Sequence, residues 1–199
     1  MILETFLSNF DLSGSSIQSL QSHLTRIVLQ EGESFLSPPS ICTDLIYIEE
    51  GIIREYKKLP TDTDTDTDTD TDTDTTSWIL GEGNVVYSVE SYIQETPSEY
   101  YLQALTPVKG WRLPKKNLEF LIKKHPELAL MAYKLSEEYI LKMELRNKLH
   151  RLKRLKDRFL LFEKQQLGIA NRIKGKILAN YLNVRPQQLS ALRREIAKS

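Results

Sequence analysis

The sequence predicts an α+β protein: a small antiparallel β-domain, one long helix, and an all-α C-terminal module built on a helix-turn-helix. Three observations carry this. Short runs rich in Ile, Val, Leu and Tyr, set off by Gly and Pro, fill residues 41–113 and suit an antiparallel barrel or sandwich. Proline is then absent from Pro126 to Pro186, while apolar residues recur at three and four. Charge is also segregated. Residues 142–199 hold 16 Lys and Arg against 4 Asp and Glu, a balance of +12, so the remainder of this formally neutral chain carries −12. Such asymmetry joins an acidic module to one that suits a polyanion.

The chain's 199 residues allow one large or two small domains. No apolar run approaches the roughly 18 residues of a membrane span, so no membrane partner is expected. The first basic residue is Arg26 and Glu4 sits where a secretory leader carries Lys or Arg, so a cytoplasmic location is expected. Cys42 is the sole cysteine, and His23, His125 and His150 are scattered, so neither a metal nor another cofactor is expected.

The first strands are read around Leu45–Ile48 and Ile52–Tyr56, with a turn at Glu49, Glu50 and Gly51. Seven Thr-Asp pairs follow, Thr61 through Asp74. Seven like charges with no apolar residue predict a disordered surface loop over 61–76, seated at a hairpin tip where insertions are tolerated. Further strands are read at Ser77–Leu80, Asn84–Tyr87, Tyr100–Leu105 and Val108–Leu113. The β-domain is assigned residues 1–124.

Helical text dominates from Lys115. Leu128, Met131, Leu135, Tyr139 and Met143 form a stripe that Leu145, Leu149, Leu152 and Leu155 continue, predicting one helix over 125–155. At 1.5 Å per residue it would outrun a small barrel, so a second copy of the chain is expected to cover Leu128, Met131, Leu135, Tyr139, Met143 and Leu149.

Residues 156–199 form the last module. Leu182, Val184, Leu189 and Leu192 supply a core, Ala179 is small where two helices cross, and Asn183 tolerates the left-handed backbone of the turn. Pro186 suits the first turn of the second helix. With Leu189, Leu192 and Ile196 inward, the outer face shows Arg185, Gln187, Gln188, Ser190, Ala191, Arg193 and Arg194. Glutamine reads adenine edges and arginine reads guanine, while Arg172, Lys174 and Lys176 would hold phosphates. No nucleophile beside a histidine, convergent carboxylate pair or phosphate-cradling glycine loop is found, so an enzyme is not expected.

Over nearly its whole length the chain resembles the Crp/Fnr family of bacterial transcription regulators, particularly its short Bacteroidetes-type members. The resemblance rests on Gln30-Glu31-Gly32-Glu33, on the run from Asp44 to Arg54, on Gly83-Asn84, on Pro97-Ser98-Glu99 and on the helix-turn-helix from Ile177 to Arg194. It implies a cyclic-nucleotide-binding-like β-roll, a dimerisation helix, and a helix-turn-helix domain on an inverted-repeat site in double-stranded DNA. RNA polymerase and an unidentified small-molecule effector are further partners it suggests. Tyr87, Ser88, Ser98 and Glu99 fall where the family's effector pocket lies. Cyclic-nucleotide binders of the family carry an Arg and a hydroxyl there, and Glu99 would repel a phosphate, so cyclic AMP is not the expected ligand. Arg185 replaces a helix-capping Ser or Thr, a change expected to cost about 1 kcal/mol. Ala191 stands where an Arg often reads bases. These departures leave an alternative, a protein-interaction or structural module without selective DNA binding.

Overall fold

The computed structural model describes residues 2–59 and 74–197. The elements are α1 (Ile2–Leu7), α2 (Gly14–His23), β1 (Thr25–Leu29), β2 (Ser34–Leu36), β3 (Asp44–Glu50), β4 (Ile53–Lys58), β5 (Asp74–Leu80), β6 (Val85–Val86), α3 (Val89–Gln94), β7 (Tyr101–Ala104), β8 (Val108–Pro114), α4 (Lys115–Lys124), α5 (Glu127–Arg151), α6 (Leu155–Gln165), a 3-10 turn (Ile169–Asn171), α7 (Gly175–Tyr181) and α8 (Pro186–Ile196). None of these helices is long and apolar enough to cross a membrane.

Two antiparallel four-stranded sheets form the β-roll, one in the order β1-β8-β3-β6 and the other β2-β7-β4-β5. The strand pleat sorts β3 by face: Ile46 and Ile48 are buried between the sheets, whereas Tyr47 turns outward against the helices. The turn expected at Gly51 is present, but it passes the chain from one sheet to the other. Gly51 takes φ 104°, and a side chain there would run into the Pro107 carbonyl and Val108.

β4 and β5 pair antiparallel through Lys58↔Asp74, on either side of the Thr-Asp repeat. The expectation of disorder over 61–76 falls mostly on residues outside those described. Its last three residues, Asp74, Thr75 and Thr76, belong instead to β5, because they find ladder partners in Lys58, Lys57 and Tyr56.

Helices α1, α2, α4 and α5 cover the outer face of the first sheet through Leu3, Leu7, Leu20, Leu121, Leu128 and Met131. This corrects the stripe expected to meet a second copy. Leu128, Met131 and Leu149 are buried within their own chain, Leu135 and Tyr139 pack against the roll, and only Met143 of the six stays exposed. The helix also stops at Arg151 rather than continuing to 155. Leu152 turns extended (φ −66°, ψ 131°), and α6 folds back so that Phe159 and Phe162 join Leu149 in one core. Lys148, His150 and Arg151 in the last turn suit the negative end of the helix dipole. That core also takes Ile52, Ile79 and Leu105 from the roll, so the C-terminal helices are seated on it.

Candidate nucleic-acid interface and effector pocket

Helices α7 and α8 form the expected helix-turn-helix. Ala179 is wholly buried at their crossing, and Asn183 holds φ 54° in the turn. The Val184 N–H donates to the Ala179 carbonyl at 3.0 Å, closing the end of α7. Leu189 and Leu192 are buried, and Pro186 opens α8. The cap judged lost at Arg185 is partly restored. Gln188 Oε1 accepts from the Arg185 N–H at 3.0 Å, which is one half of a capping box.

Arg185, Gln187, Gln188, Ser190, Ala191 and Arg194 are exposed on the outer side of α8. Gln188 therefore has a structural task at the same position. Arg193, expected on that face, is turned inward: its Nη2 donates to the Ala170 carbonyl at 2.7 Å and its guanidinium lies 6.0 Å from the Phe159 ring centroid. Lys176 is exposed on α7. Arg172 and Lys174 instead reach the roll. Arg172 makes a two-pronged pair with Glu82, at 2.9 and 2.5 Å, and Lys174 Nζ lies 2.9 Å from Glu31 Oε1.

Three anchors that the sequence reading missed hold the module in place. Asn180 behaves as a strand residue toward β5, accepting from the Thr76 N–H at 2.7 Å and donating to the Asp74 carbonyl at 2.9 Å. Glu82 receives both Arg172 and the Gly51 N–H, the latter at 2.8 Å. Partial burial pulls its pKa upward, but the Arg172 guanidinium and the backbone donors outweigh this and hold the carboxyl at about 2. Glu31 is the third, an exposed partner worth little by itself. No local pattern marks these residues, since each acquires its role only when the two modules meet.

Of the four residues expected at an effector pocket, Ser88 and Ser98 meet and are consumed by each other and by the backbone. The Ser88 and Ser98 hydroxyls, both buried, lie 3.1 Å apart, and Ser98 Oγ also donates to the Tyr100 carbonyl and accepts the Tyr100 N–H, each at 3.0 Å. Glu99 turns outward to Lys57, 2.5 Å away. Tyr87 belongs to an aromatic cluster, 5.0 Å from Tyr92 and 6.1 Å from Tyr139 between ring centroids, with Trp78 5.7 Å from Tyr139. Glu55 lies beneath it, its pKa pushed up by burial against the pull of the Ser77 hydroxyl and Arg146. The space left among Ile53, Glu55, Tyr87 and Leu102 is about 10 Å³, at the threshold for one water. An apolar cavity of about 320 Å³ opens instead on the far side of the cluster, between Trp111 of the first sheet, α1 and α5.

No protein-family model matches the chain, and no curated protein matches it in sequence. Solved structures do match in shape. FixK2 from Bradyrhizobium japonicum superposes with a TM-score of 0.69 at 14% identity, over 88% of this chain and 85% of that one. The c-di-GMP responsive global regulator CLP of Xanthomonas campestris gives 0.66 at 14% identity, over 94% and 92%. A Eubacterium rectale protein assigned to the Crp/Fnr transcriptional regulators gives 0.64 at 17%, over 96% and 86%. With these matches each spanning 88% or more of its length, the chain has the fold of Crp/Fnr-type transcriptional regulators.

Proposed function

We propose that the protein is a homodimeric, sequence-specific DNA-binding transcriptional regulator whose sensor roll does not take cyclic nucleotides. The observation that carries this is the outer face of α8, where Arg185, Gln187, Ser190 and Arg194 stand exposed on a helix-turn-helix with a left-handed turn residue. Gln187 and Arg194 are the base-reading candidates, and Lys176 a phosphate contact. The outward side of α5 supplies the dimer face. Leu130, Tyr133, Glu137, Ile140 and Glu144 recur at alternating three and four residues, and Leu130, Tyr133, Ile140 and the flanking Leu141 are each more than half exposed. That is the spacing of a two-helix seam, which a second copy supplies in register.

Two copies of α8 would enter the major groove about one helical turn apart, so the site is an inverted repeat. Selecting bound genomic fragments at two salt concentrations tests this. Enriched inverted repeats, with Gln187→Ala relaxing preference at particular base pairs by about 1–3 kcal/mol, are the expected result. Binding without a preferred sequence would favour the interaction-module reading, which draws on Ala191 in the reading face and on the carboxylates that hold Arg172 and Lys174. Calorimetry with cyclic AMP and cyclic GMP at micromolar concentration is expected to show no saturable heat, because the Ser98 hydroxyl is engaged by Ser88 and by the backbone of Tyr100, and among the described residues no guanidinium bonds to it.

A further inference from the structure

The apolar cavity between the roll, α1 and α5 has the shape and chemistry of a ligand site; it shares Trp78, Leu80, Val85, Tyr87 and Tyr139 with the closed space among Ile53, Glu55 and Leu102 and extends from them to α1. Its walls are Phe6 of α1, Tyr47 and Trp111 of the first sheet, and Leu135 and Tyr139 of α5. At about 320 Å³ the cavity is roughly twice the 150 Å³ dry cavity that takes a benzene, and it lies within the range of small-molecule sites.

At the Lys142 end of the lining, Lys142 Nζ lies 2.9 Å from Asn84 Oδ1 and 3.9 Å from Glu138 Oε2. On the walls, the Tyr92 hydroxyl and Trp111 Nε1 are buried without a hydrogen-bond partner among the described residues. One ammonium and one carboxylate leave this end without net charge, while donors and an amide remain for a hydrogen-bonding head. We infer that the cavity between the first sheet, α1 and α5 binds a neutral amphiphile, a medium-length alkyl chain or two fused rings ending in a hydroxyl or carbonyl group at the Lys142 end.

The chain has two tryptophans, Trp78 and Trp111, and both line this cavity. Their emission therefore reads occupancy directly in the full chain, without DNA, so the outcome is independent of the regulator reading. Titration with 1-decanol is expected to give a saturable change in emission at one molecule per chain, with decanoate and decylammonium each at least about tenfold weaker. Ala132→Phe and Val85→Phe, which push a ring into the cavity from α5 and from β6, are expected to abolish the change, while Val28→Phe on the exposed side of β1 leaves it intact. Absence of a saturable signal, or decanoate or decylammonium binding as tightly as the alcohol, overturns the proposal. So does an undiminished signal in either cavity-filling variant. Should a filling variant unfold, the preference for the neutral head in the parent chain decides alone.

Discussion

His150, in the last turn of α5, meets two residues of the helix-turn-helix. Its Nδ1 is 3.4 Å from the Asn183 side-chain amide, its ring packs edge-on to Tyr181 at 5.4 Å, and Leu149 beside it is fully buried. Burial lowers its pKa, and Arg146 and Arg158 add to the effect. A histidine kept neutral in the fold takes up its proton more readily when unfolded. Its contribution is therefore present above the ordinary pKa of about 6.5 and is lost as pH falls through that value and below. Chemical denaturation followed by circular dichroism is expected to show stability falling from pH 7 to pH 5, with His150→Gln flattening that slope; an unchanged slope would assign the effect elsewhere. Glu82 does not respond to pH in this range. With its carboxyl held at about 2, its pair with Arg172 persists across neutral and mildly acidic solution. Ionic strength, rather than pH, is the natural lever on that contact.

Among the elements, α8 depends on two kinds of support that separate experimentally. Leu189 is 2% exposed in the shared core, so Leu189→Ala is expected to cost about 2–5 kcal/mol in denaturant midpoint analysis. Gln188→Ala removes only the acceptor for the Arg185 N–H, an expected loss of about 0.5–1 kcal/mol, well below that of the core truncation. The helix-turn-helix was legible in the sequence because its signals are local: Ala179 at the crossing, Asn183 in the turn, Pro186 at the helix start. The end of α5 was not, since Leu152 and Leu155 continue the helical period in the text and the break answers to Phe159 and Phe162 folding back on Leu149. The same period misassigned the apolar face. A stripe in sequence states that a face is covered, not by what, and here the roll of the same chain covers Leu128, Met131, Leu135 and Tyr139. In the β-domain, Gly51 signalled a turn, but a link between two sheets and a hairpin use the same residues. β1 and β2 carried less signal, since their apolar runs, Ile27–Leu29 and Phe35–Leu36, are shorter than the run Leu45–Ile48 that revealed β3, and one residue in each is buried.

For the whole molecule, the acidic segment and the basic segment meet in ion pairs among the described residues. Glu82 and Glu31 occupy Arg172 and Lys174 as phosphates would. The double variant Glu31→Gln, Glu82→Gln is expected to bind duplex DNA more tightly, by roughly tenfold or about 1.4 kcal/mol, when compared with the parent by anisotropy at low salt. Equal affinity would mean that these basic residues do not contact DNA. The dimer face tests separately. Ile140→Asp is expected to give monomers by light scattering, and Glu137→Leu, which replaces a carboxylate in the seam by an apolar side chain, to tighten the dimer.

The seating of α7 on β5 carries one more consequence. In the order β2-β7-β4-β5, β5 stands at the margin of its sheet, and the Thr76 N–H and Asp74 carbonyl that a neighbouring strand would take are occupied by the Asn180 side chain. The helix is thus a guard against edge-to-edge association. Any movement that lifts the helical module to meet DNA uncovers a strand able to pair with another molecule, which couples the freedom of this module to the colloidal stability of the solution. Asn180→Ala would reveal that link as turbidity that grows with protein concentration while the secondary structure is still intact.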